Sequence, residues 1–252
     1  MHHESVYAIL LLKSNAYPGG KSSMHMKSFS ILLLAITLTI TLVACGQKKT
    51  ALPASPTPST KVTSSPSASI PPTVTRKSYT APPAMTIDKN KLYSALFDTN
   101  LGKFTVQLYA KEASKTVNNF VFLANERFYE GVVFHRIIKS FMIQTGDPLG
   151  NGTGGPGYKF EDELNTGFKY EPGIVAMANS GKNTNGSQFF ICTGEDSKSL
   201  NMQPNYSIFG KVSDGMDVVQ KIAATPVKIG SEASPSLPTE KVIINSITIF
   251  VK

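Results

Sequence analysis

From residue 87 to the C-terminus, the chain consists of short apolar segments separated by glycine-rich turns. In one of them Phe104, Val106 and Leu108 alternate with polar residues, and this period of two indicates a strand with one buried face. The pattern predicts eight strands: Leu92–Asp98, Phe104–Tyr109, Val132–Ile138, Phe141–Gln144, Ile174–Ala178, Gln188–Cys192, Ser207–Val212 and Lys241–Val251. Many short strands with turns between them are typical of a closed antiparallel sheet.

Two segments between these strands have a helical period instead. One is Lys111–Phe128, whose apolar residues fall on one helical face: Val117, Phe120, Val121, Ala124 and Phe128. The other is the shorter segment Gly215–Ala223. We therefore predict that residues 87–252 form a mainly β domain, a closed eight-stranded antiparallel barrel capped by two helices. A segment of about 165 residues is long enough for one hydrophobic core.

Residues 1–45 have the features of a secretory signal. Phe29–Ala44 is an uncharged run of sixteen residues preceded by Lys21 and Lys27. A membrane span needs about twenty apolar residues, whereas a basic start and a short apolar run are typical of a signal peptide. A normal signal would begin at Met24 or Met26, so we expect residues 1–25 to be an over-extended start.

The signal ends in the residues Leu-Val-Ala-Cys-Gly at positions 42–46, which resemble the lipobox of bacterial lipoproteins. The resemblance implies that Cys45 is lipidated and that the protein is extracytoplasmic and anchored to the bacterial cell membrane. An uncleaved anchor helix with an incidental cysteine is the alternative, and it also places the domain outside the cytoplasm. Residues 46–86 are rich in proline, serine and threonine, and we predict a disordered tether there.

Charge and residue counts exclude several classes of function. Of the net charge of +8, residues 1–86 carry +7 and residues 87–252 only +1. A nucleic-acid-binding domain would be expected to have its own basic face, so we expect no nucleic-acid partner. His135 is the single histidine after residue 86, which argues against a multi-histidine zinc site. Cys45 and Cys192 lie in unlike contexts, so a disulfide framework is not expected.

Several motifs have an ordinary structural interpretation beside a functional one. The glycine-rich run 150–157 lacks the Gly-Lys-Ser/Thr ending of a phosphate loop, and we predict a tight surface loop with positive φ at several positions. His135 has no accompanying Gly-x-Ser-x-Gly elbow, and we interpret it as a satisfied core residue. Cys192 follows an apolar run and is expected to be an inert buried thiol. The acidic run 161–163 is interpreted as a solvated loop.

One group of residues remains that has no nucleophile, metal or cofactor signature. It combines Arg136, in an apolar strand, with amide and apolar side chains: Gln144, Asn179, Gln188, Phe141, Met142 and Phe190. Arg136 is either part of a functional groove or a surface cation above ordinary core residues. Spacing alone leaves both interpretations open.

Positions 134–147 resemble the signature stretch of the cyclophilins; they read Phe-His-Arg-Ile-Ile-Lys-Ser-Phe-Met-Ile-Gln-Thr-Gly-Asp. Five further blocks resemble the family in the same order: Asn151–Gly155, Phe160–Glu163, Met177–Asn179, Asn183–Ile191 and Phe209–Val212. The resemblance spans about Leu92 to Lys252. It implies a peptidyl-prolyl cis-trans isomerase, with a groove on the outer barrel face for proline-containing unfolded or flexible polypeptides. It implies no cofactor and no metal, and we expect a monomer.

The resemblance also implies a role for each site residue. Arg136 donates to the prolyl nitrogen, and Gln144 holds Arg136 or the substrate carbonyl. Ala178 and Asn179 pair with the substrate backbone. The pocket for the proline ring is formed by Phe141, Met142, Phe190 and Leu200. Gly152, Gln188 and Tyr206 complete the groove.

Two positions depart from the family pattern. Ser199 stands where many members have tryptophan, and Tyr206 stands where many have histidine. The loop from Asn201 to Asn205 is also longer than usual. We expect activity to survive but cyclosporin to bind weakly, because its binding in the family benefits from the missing indole; nanomolar affinity in a titration would contradict this.

Two other classes of function share some of these features. A peptide-binding chaperone or scaffold would use the groove without turnover, although Arg136 beside Phe141, Met142 and Gln144 argues against a dead site. A solute-binding lipoprotein of a transporter would share the anchor and the tether. It would normally need a two-lobed body larger than about 165 residues.

Overall fold

The computed structural model describes residues 77–252. The predicted signal region, the lipidation site Cys45 and residues 46–76 of the predicted tether lie outside the described residues. In the described part, no helix has the length and apolar character needed to cross a membrane. Residues 77–252 also contain no cluster of three or more His, Cys, Asp or Glu side chains that would hold a metal ion.

Ten strands occur in the described residues: β1 Tyr93–Thr99, β2 Gly102–Leu108, β3 Arg136–Ile138, β4 Met142–Thr145, β5 Ile174–Met177, β6 Phe189–Cys192, β7 Ile208–Asp214, β8 Val227–Ile229, β9 Pro235–Pro238 and β10 Ile244–Val251. Eight of them form one antiparallel sheet in the order β10-β1-β2-β7-β5-β6-β4-β3. The two others, β8 and β9, pair with each other. The prediction of a mainly β fold with eight antiparallel strands is therefore confirmed.

The sheet curls without closing into a barrel. Its end strands, β3 and β10, are not paired with each other along their lengths. They approach through the segment before β3 and the start of β10: Val133 forms a bridge with Ile243, the Phe134 N–H donates to the Val242 carbonyl at 2.9 Å, and the Ile244 N–H donates to the Val132 carbonyl at 2.9 Å. Because β3 is only three residues long, the sheet remains a curled half-barrel, and the predicted closed barrel is not confirmed.

The hydrophobic core fills the inside of the curled sheet. It contains many aromatic rings. The ring centroids of Phe120 in helix α1 (Ser114–Asn125) and Phe189 in β6 lie 5.6 Å apart. Helix α2 (Met216–Ala223) contributes Val219 and Ile222, which are fully buried in the same core. The two predicted helices therefore both pack their apolar faces on the sheet.

A third helix was not predicted. It is a 3-10 helix, Glu195–Met202, in which Ser197 is the one buried residue. A segment with so little buried surface has no apolar period to detect. Helix α1 is also shorter than the predicted Lys111–Phe128. It stops because Arg127 adopts a left-handed conformation with φ of 58°, and the Phe128 N–H then donates to the Leu123 carbonyl at 2.9 Å.

The N-terminus of α1 is capped by a distant carboxylate. The Glu163 side chain accepts hydrogen bonds from the Lys115 N–H at 3.1 Å and the Thr116 N–H at 2.8 Å. Its neighbours are also engaged: Glu161 pairs with Lys115, and Asp162 accepts from the Asn183 N–H at 2.8 Å. The acidic run 161–163 is a loop with an exposed Glu161, as interpreted, but its Asp162 and Glu163 also hold neighbouring backbone in place.

Residues 77–86, which we call the N-terminal strap, lie along the globular body. The Tyr79 N–H donates to the Pro156 carbonyl at 2.8 Å, and its ring centroid is 5.1 Å from that of Phe122. At the other end of the strap, the Thr86 N–H donates to Asn118 Oδ1 at 2.9 Å. The last ten residues of the predicted tether region are therefore seated on the domain.

Candidate active site

The structure brings most of the predicted site residues together around one cavity of about 100 Å³ on the outer face of the sheet. It is lined by Arg136, Phe141, Met142, Gln144, Ala178, Asn179, Phe190, Leu200 and Tyr206. The two remaining site residues, Gly152 and Gln188, line a larger open cavity of about 930 Å³. Ala178 and Asn179 line both cavities, so the two adjoin, and together we call them the groove.

The strand register explains why these side chains share a face. Arg136 of β3 lies opposite Gln144 of β4, and Gln144 lies opposite Phe190 of β6. Residues directly opposite each other in a sheet point to the same side, and their sequence neighbours point to the other. The neighbours Ile143 and Ile191 are accordingly fully buried in the core. β6 is buried on both faces, which is why its sequence Phe-Phe-Ile-Cys is apolar throughout.

The guanidinium of Arg136 is held by a residue that the sequence did not reveal. Its Nε lies 2.5 Å from Oε1 of Glu232, which belongs to the loop between β8 and β9. Its Nη1 lies 3.5 Å from Sδ of Met142, at the cavity wall. Glu232 is a lone acid in the run Gly230–Ser234, and nothing in that pattern marks it as a site residue.

The amide side chains form a chain of hydrogen bonds along the groove. Nε2 of Gln144 donates to Oε1 of Gln188 at 3.0 Å, and Nε2 of Gln188 donates to the carbonyls of Gly152 at 3.0 Å and Gly154 at 2.8 Å. Gln144 therefore connects the sheet to the glycine loop through Gln188. Gln144 was expected to hold either Arg136 or the substrate carbonyl. Within residues 77–252, no side-chain hydrogen bond joins Gln144 to Arg136.

The glycine loop is organised around the buried carboxylate of Asp147. This carboxylate accepts hydrogen bonds from the N–H groups of Leu149 at 2.7 Å, Asn151 at 3.0 Å and Gly152 at 2.6 Å. The φ angles of Gly150, Gly152 and Gly157 are 66°, 88° and 98°, so the predicted tight loop with positive φ is confirmed. A side chain at Gly154 would overlap the Asp147 carboxylate.

The far wall of the smaller cavity is built by Tyr206 and the loop before it. The Tyr206 ring lies edge-on to Phe190, with centroids 5.4 Å apart. Its backbone is fixed by Tyr170, whose hydroxyl donates to the Tyr206 carbonyl at 2.6 Å and accepts from the Tyr206 N–H at 3.0 Å. Asn179 Nδ2 donates to the Asn205 carbonyl at 2.9 Å. Ser199 is not part of this cavity wall; its hydroxyl donates to the Asp196 carbonyl at 2.6 Å.

Neither His135 nor Cys192 supports nucleophilic chemistry. His135 is buried, and burial lowers its pKa despite the nearby Asp147 carboxylate. Within residues 77–252 its two ring nitrogens have no hydrogen-bond partner, so it is a core residue but not a satisfied one. Cys192 is fully buried and unpaired, and burial raises its pKa to about 12. It is an inert thiol, as predicted.

Residues 95–249 match the model of the cyclophilin type peptidyl-prolyl cis-trans isomerase family. The chain belongs to this family. It is 49% identical over 144 residues to peptidyl-prolyl cis-trans isomerase-like 1 of Aspergillus fumigatus, covering 56% of this chain and 86% of that protein. It is 44% identical over 177 residues to peptidyl-prolyl cis-trans isomerase B of Streptomyces anulatus, covering 63% of this chain and 97% of that protein.

Solved structures agree with this assignment. A cyclophilin type peptidyl-prolyl cis-trans isomerase of Cryptosporidium parvum is 34% identical to this cyclophilin, with a TM-score of 0.57 over 63% of this chain and 98% of that one. A second structure of the same protein was solved in the presence of the dipeptide Ala-Pro, with a TM-score of 0.56.

Proposed function

We propose that this cyclophilin accelerates cis/trans isomerisation of X–Pro bonds in extracytoplasmic polypeptides and so assists their folding, with Arg136 stabilising the twisted transition state. The observation that carries the proposal is the position of the Arg136 guanidinium at the wall of an apolar cavity. Phe141, Met142 and Phe190 line that cavity, which has a volume of about 100 Å³ and suits a proline ring.

The chemistry needs only a well-placed hydrogen-bond donor. An X–Pro bond has partial double-bond character, with a rotational barrier of about 18–20 kcal/mol, and its unassisted isomerisation takes tens to hundreds of seconds. When the bond twists, resonance is lost and the prolyl nitrogen gains a lone pair. A donor aimed at that nitrogen binds the transition state better than the ground state, which is the requirement for catalysis.

Arginine suits this role because it stays charged and presents its donors in a fixed plane. Its side chain is 28% exposed, so its field is less screened than that of a fully solvated cation. The apolar cavity would hold the proline ring while the substrate backbone rests against Ala178 and Asn179. One side of the bond is then fixed while the other rotates, and no covalent intermediate forms.

The proposed location follows from the N-terminal sequence. A lipobox-like ending at Cys45 and a proline-rich segment after it are the features of a lipid-anchored protein on a tether. We infer that the domain works as a monomer at the outer side of the bacterial cell membrane. Its partners there would be proline-containing unfolded or flexible polypeptides.

The proposal is tested by measuring isomerisation of an Ala-Pro-Phe peptide by the full-length chain and its Arg136→Ala and Arg136→Lys variants. Removing one transition-state donor typically costs about 10²–10³ in rate, and we expect Arg136→Ala to lose activity in that range. Arg136→Lys keeps the charge but not the planar fork, so it should recover only part. Circular dichroism confirms that each variant is folded.

The result also decides between enzyme and binding module. If the folded wild-type chain binds proline peptides but does not accelerate isomerisation, the protein is a peptide-binding module. If Arg136→Ala keeps full activity, the chemistry does not depend on this guanidinium and the proposed mechanism is wrong.

A further inference from the structure

The β8–β9 loop supplies the one ion-pair partner of Arg136 within residues 77–252. Nε of Arg136 lies 2.5 Å from Oε1 of Glu232, and both side chains are partly shielded, with exposures of 28% and 38%. This loop is distant in sequence from the strand that carries Arg136, but β9 packs against β3. The contact is therefore a feature of the fold and not of local sequence.

The ion pair engages only one edge of the guanidinium. Nε binds the carboxylate, and the remaining contact is the weak one between Nη1 and Met142 Sδ at 3.5 Å. Gln144 does not hold the guanidinium among the described contacts: its Nε2 donates to Gln188, and no hydrogen bond joins Arg136 to its Oε1. The carboxylate thus fixes the plane of the guanidinium while its terminal nitrogens remain at the cavity wall.

We propose that Glu232 is a positioning residue that holds the Arg136 guanidinium in the orientation needed for isomerisation. This inference rests on the proposed role of Arg136. A long flexible side chain reaches many orientations, and only those that aim a donor at the prolyl nitrogen are productive. A carboxylate at Nε restricts those orientations without occupying the terminal donors.

The surroundings of Glu232 keep it charged. Partial burial alone would raise the pKa of Glu232, but its neighbours outweigh burial and lower the pKa below its usual value. The main contributions are the hydrogen bond from Arg136 and the charge of Arg136, followed by the hydroxyl of Ser236 in β9 and the neighbouring His135. The carboxylate is therefore ionised at neutral pH, where the isomerase would work.

The test is a double-mutant cycle on the full-length chain, with kcat and KM measured by NMR exchange on an Ala-Pro-Phe peptide. We expect Glu232→Ala to lower kcat about 5- to 20-fold with KM changed less than about twofold, since misplacement of a group mainly affects the transition state. Glu232→Gln keeps an acceptor oxygen without the charge, so a smaller loss of about 2- to 5-fold is expected.

The decisive comparison is made in the Arg136→Ala background. If Glu232 acts through Arg136, adding Glu232→Ala there changes the residual rate by less than about twofold. The matched control is Glu171→Ala, which removes the acid of another ion pair, the one with Lys211 at 2.6 Å, away from the groove. This control should keep wild-type kcat.

Each other outcome overturns the inference. An unchanged or increased kcat in Glu232→Ala would show that the ion pair is irrelevant or weakens the donor. An equal loss in both backgrounds would show a general structural effect. If Arg136→Ala alone keeps full activity, the proposed role of Arg136 is wrong. If Arg136→Ala loses activity but the effects of the two substitutions are additive, the role of Arg136 stands and the proposed role of Glu232 is wrong.

Discussion

Asp147 is buried beneath the glycine loop, where it organises one wall of the groove. Only 1% of it is exposed, and burial alone would raise its pKa. Hydrogen bonds from the N–H groups of Leu149, Asn151, Gly154 and Gly152 outweigh burial and lower the pKa below its usual value. A depressed folded-state pKa means that the carboxylate contributes stability above its unfolded pKa of about 3.9 and loses it as the pH falls through the folded value.

We therefore predict that Asp147→Asn lowers the free energy of unfolding at pH 7 by about 1–3 kcal/mol, because the loop N–H groups lose a charged acceptor. The difference from wild type should shrink as the pH falls below about 4, because the unfolded carboxylate is protonated there while the folded carboxylate, with its lower pKa, takes up its proton only at still lower pH. Urea titrations at several pH values measure both effects. The control is Glu171→Gln at an exposed ion pair, and a pH-independent difference for Asp147→Asn would refute the prediction.

At the scale of single residues, spacing alone left the role of Arg136 open, and the family resemblance placed the residues of the groove. Phe141, Met142, Gln144 and Phe190 line the cavity as placed from the sequence. The residues that were missed act across long sequence separations. Glu232 reaches Arg136 over 96 positions and Tyr170 reaches Tyr206 over 36. Spacing carries no signal for such contacts, because only the tertiary fold brings the two side chains together.

At the scale of elements, periodicity and short apolar runs between turns predicted α1, α2 and the eight strands of the large sheet, with shifted ends. It failed for β8 and β9, since Pro235 and Pro238 stand at the two ends of β9. Proline lacks a backbone donor and usually argues against a strand, but it is tolerated at strand ends and sheet edges. The sequence pattern therefore did not predict the hairpin that carries Glu232, because these two prolines argue against a strand.

The N-terminal strap gives a prediction at this scale. The Tyr79 ring packs against Phe122 at 5.1 Å and lies 6.5 Å from both Phe128 and Tyr158. We expect Tyr79→Ala to lower the free energy of unfolding by about 1–2 kcal/mol, as for loss of a partly buried aromatic side chain. Tyr79→Phe is the matched control and should stay within about 0.5 kcal/mol, because it keeps the ring. Equal stability of Tyr79→Ala and wild type in urea would show that the strap contributes nothing to the fold.

At the scale of the whole molecule, the chain separates a nearly neutral domain from a basic N-terminal region. Residues 87–252 carry a net charge of +1 and residues 1–86 carry +7. A groove that binds proline and backbone through apolar contacts and one guanidinium, as proposed, needs no large charge of its own. Ser78 of the strap lines the larger cavity, so the strap contributes to the wall of the groove.

The proposed anchor gives the last prediction. If Cys45 is the lipidated residue, Cys45→Ser should move the protein from the membrane fraction to the soluble extracytoplasmic fraction and abolish labelling by radioactive palmitate. Acyl chains bind membranes at about 0.8 kcal/mol per buried CH₂, so their loss removes the main membrane affinity. Cys192→Ser is the matched control, since that thiol is fully buried and should leave both labelling and fractionation unchanged. If Cys45→Ser stays in the membrane fraction without palmitate, the apolar run 29–44 is an uncleaved anchor, and the lipoprotein assignment is wrong.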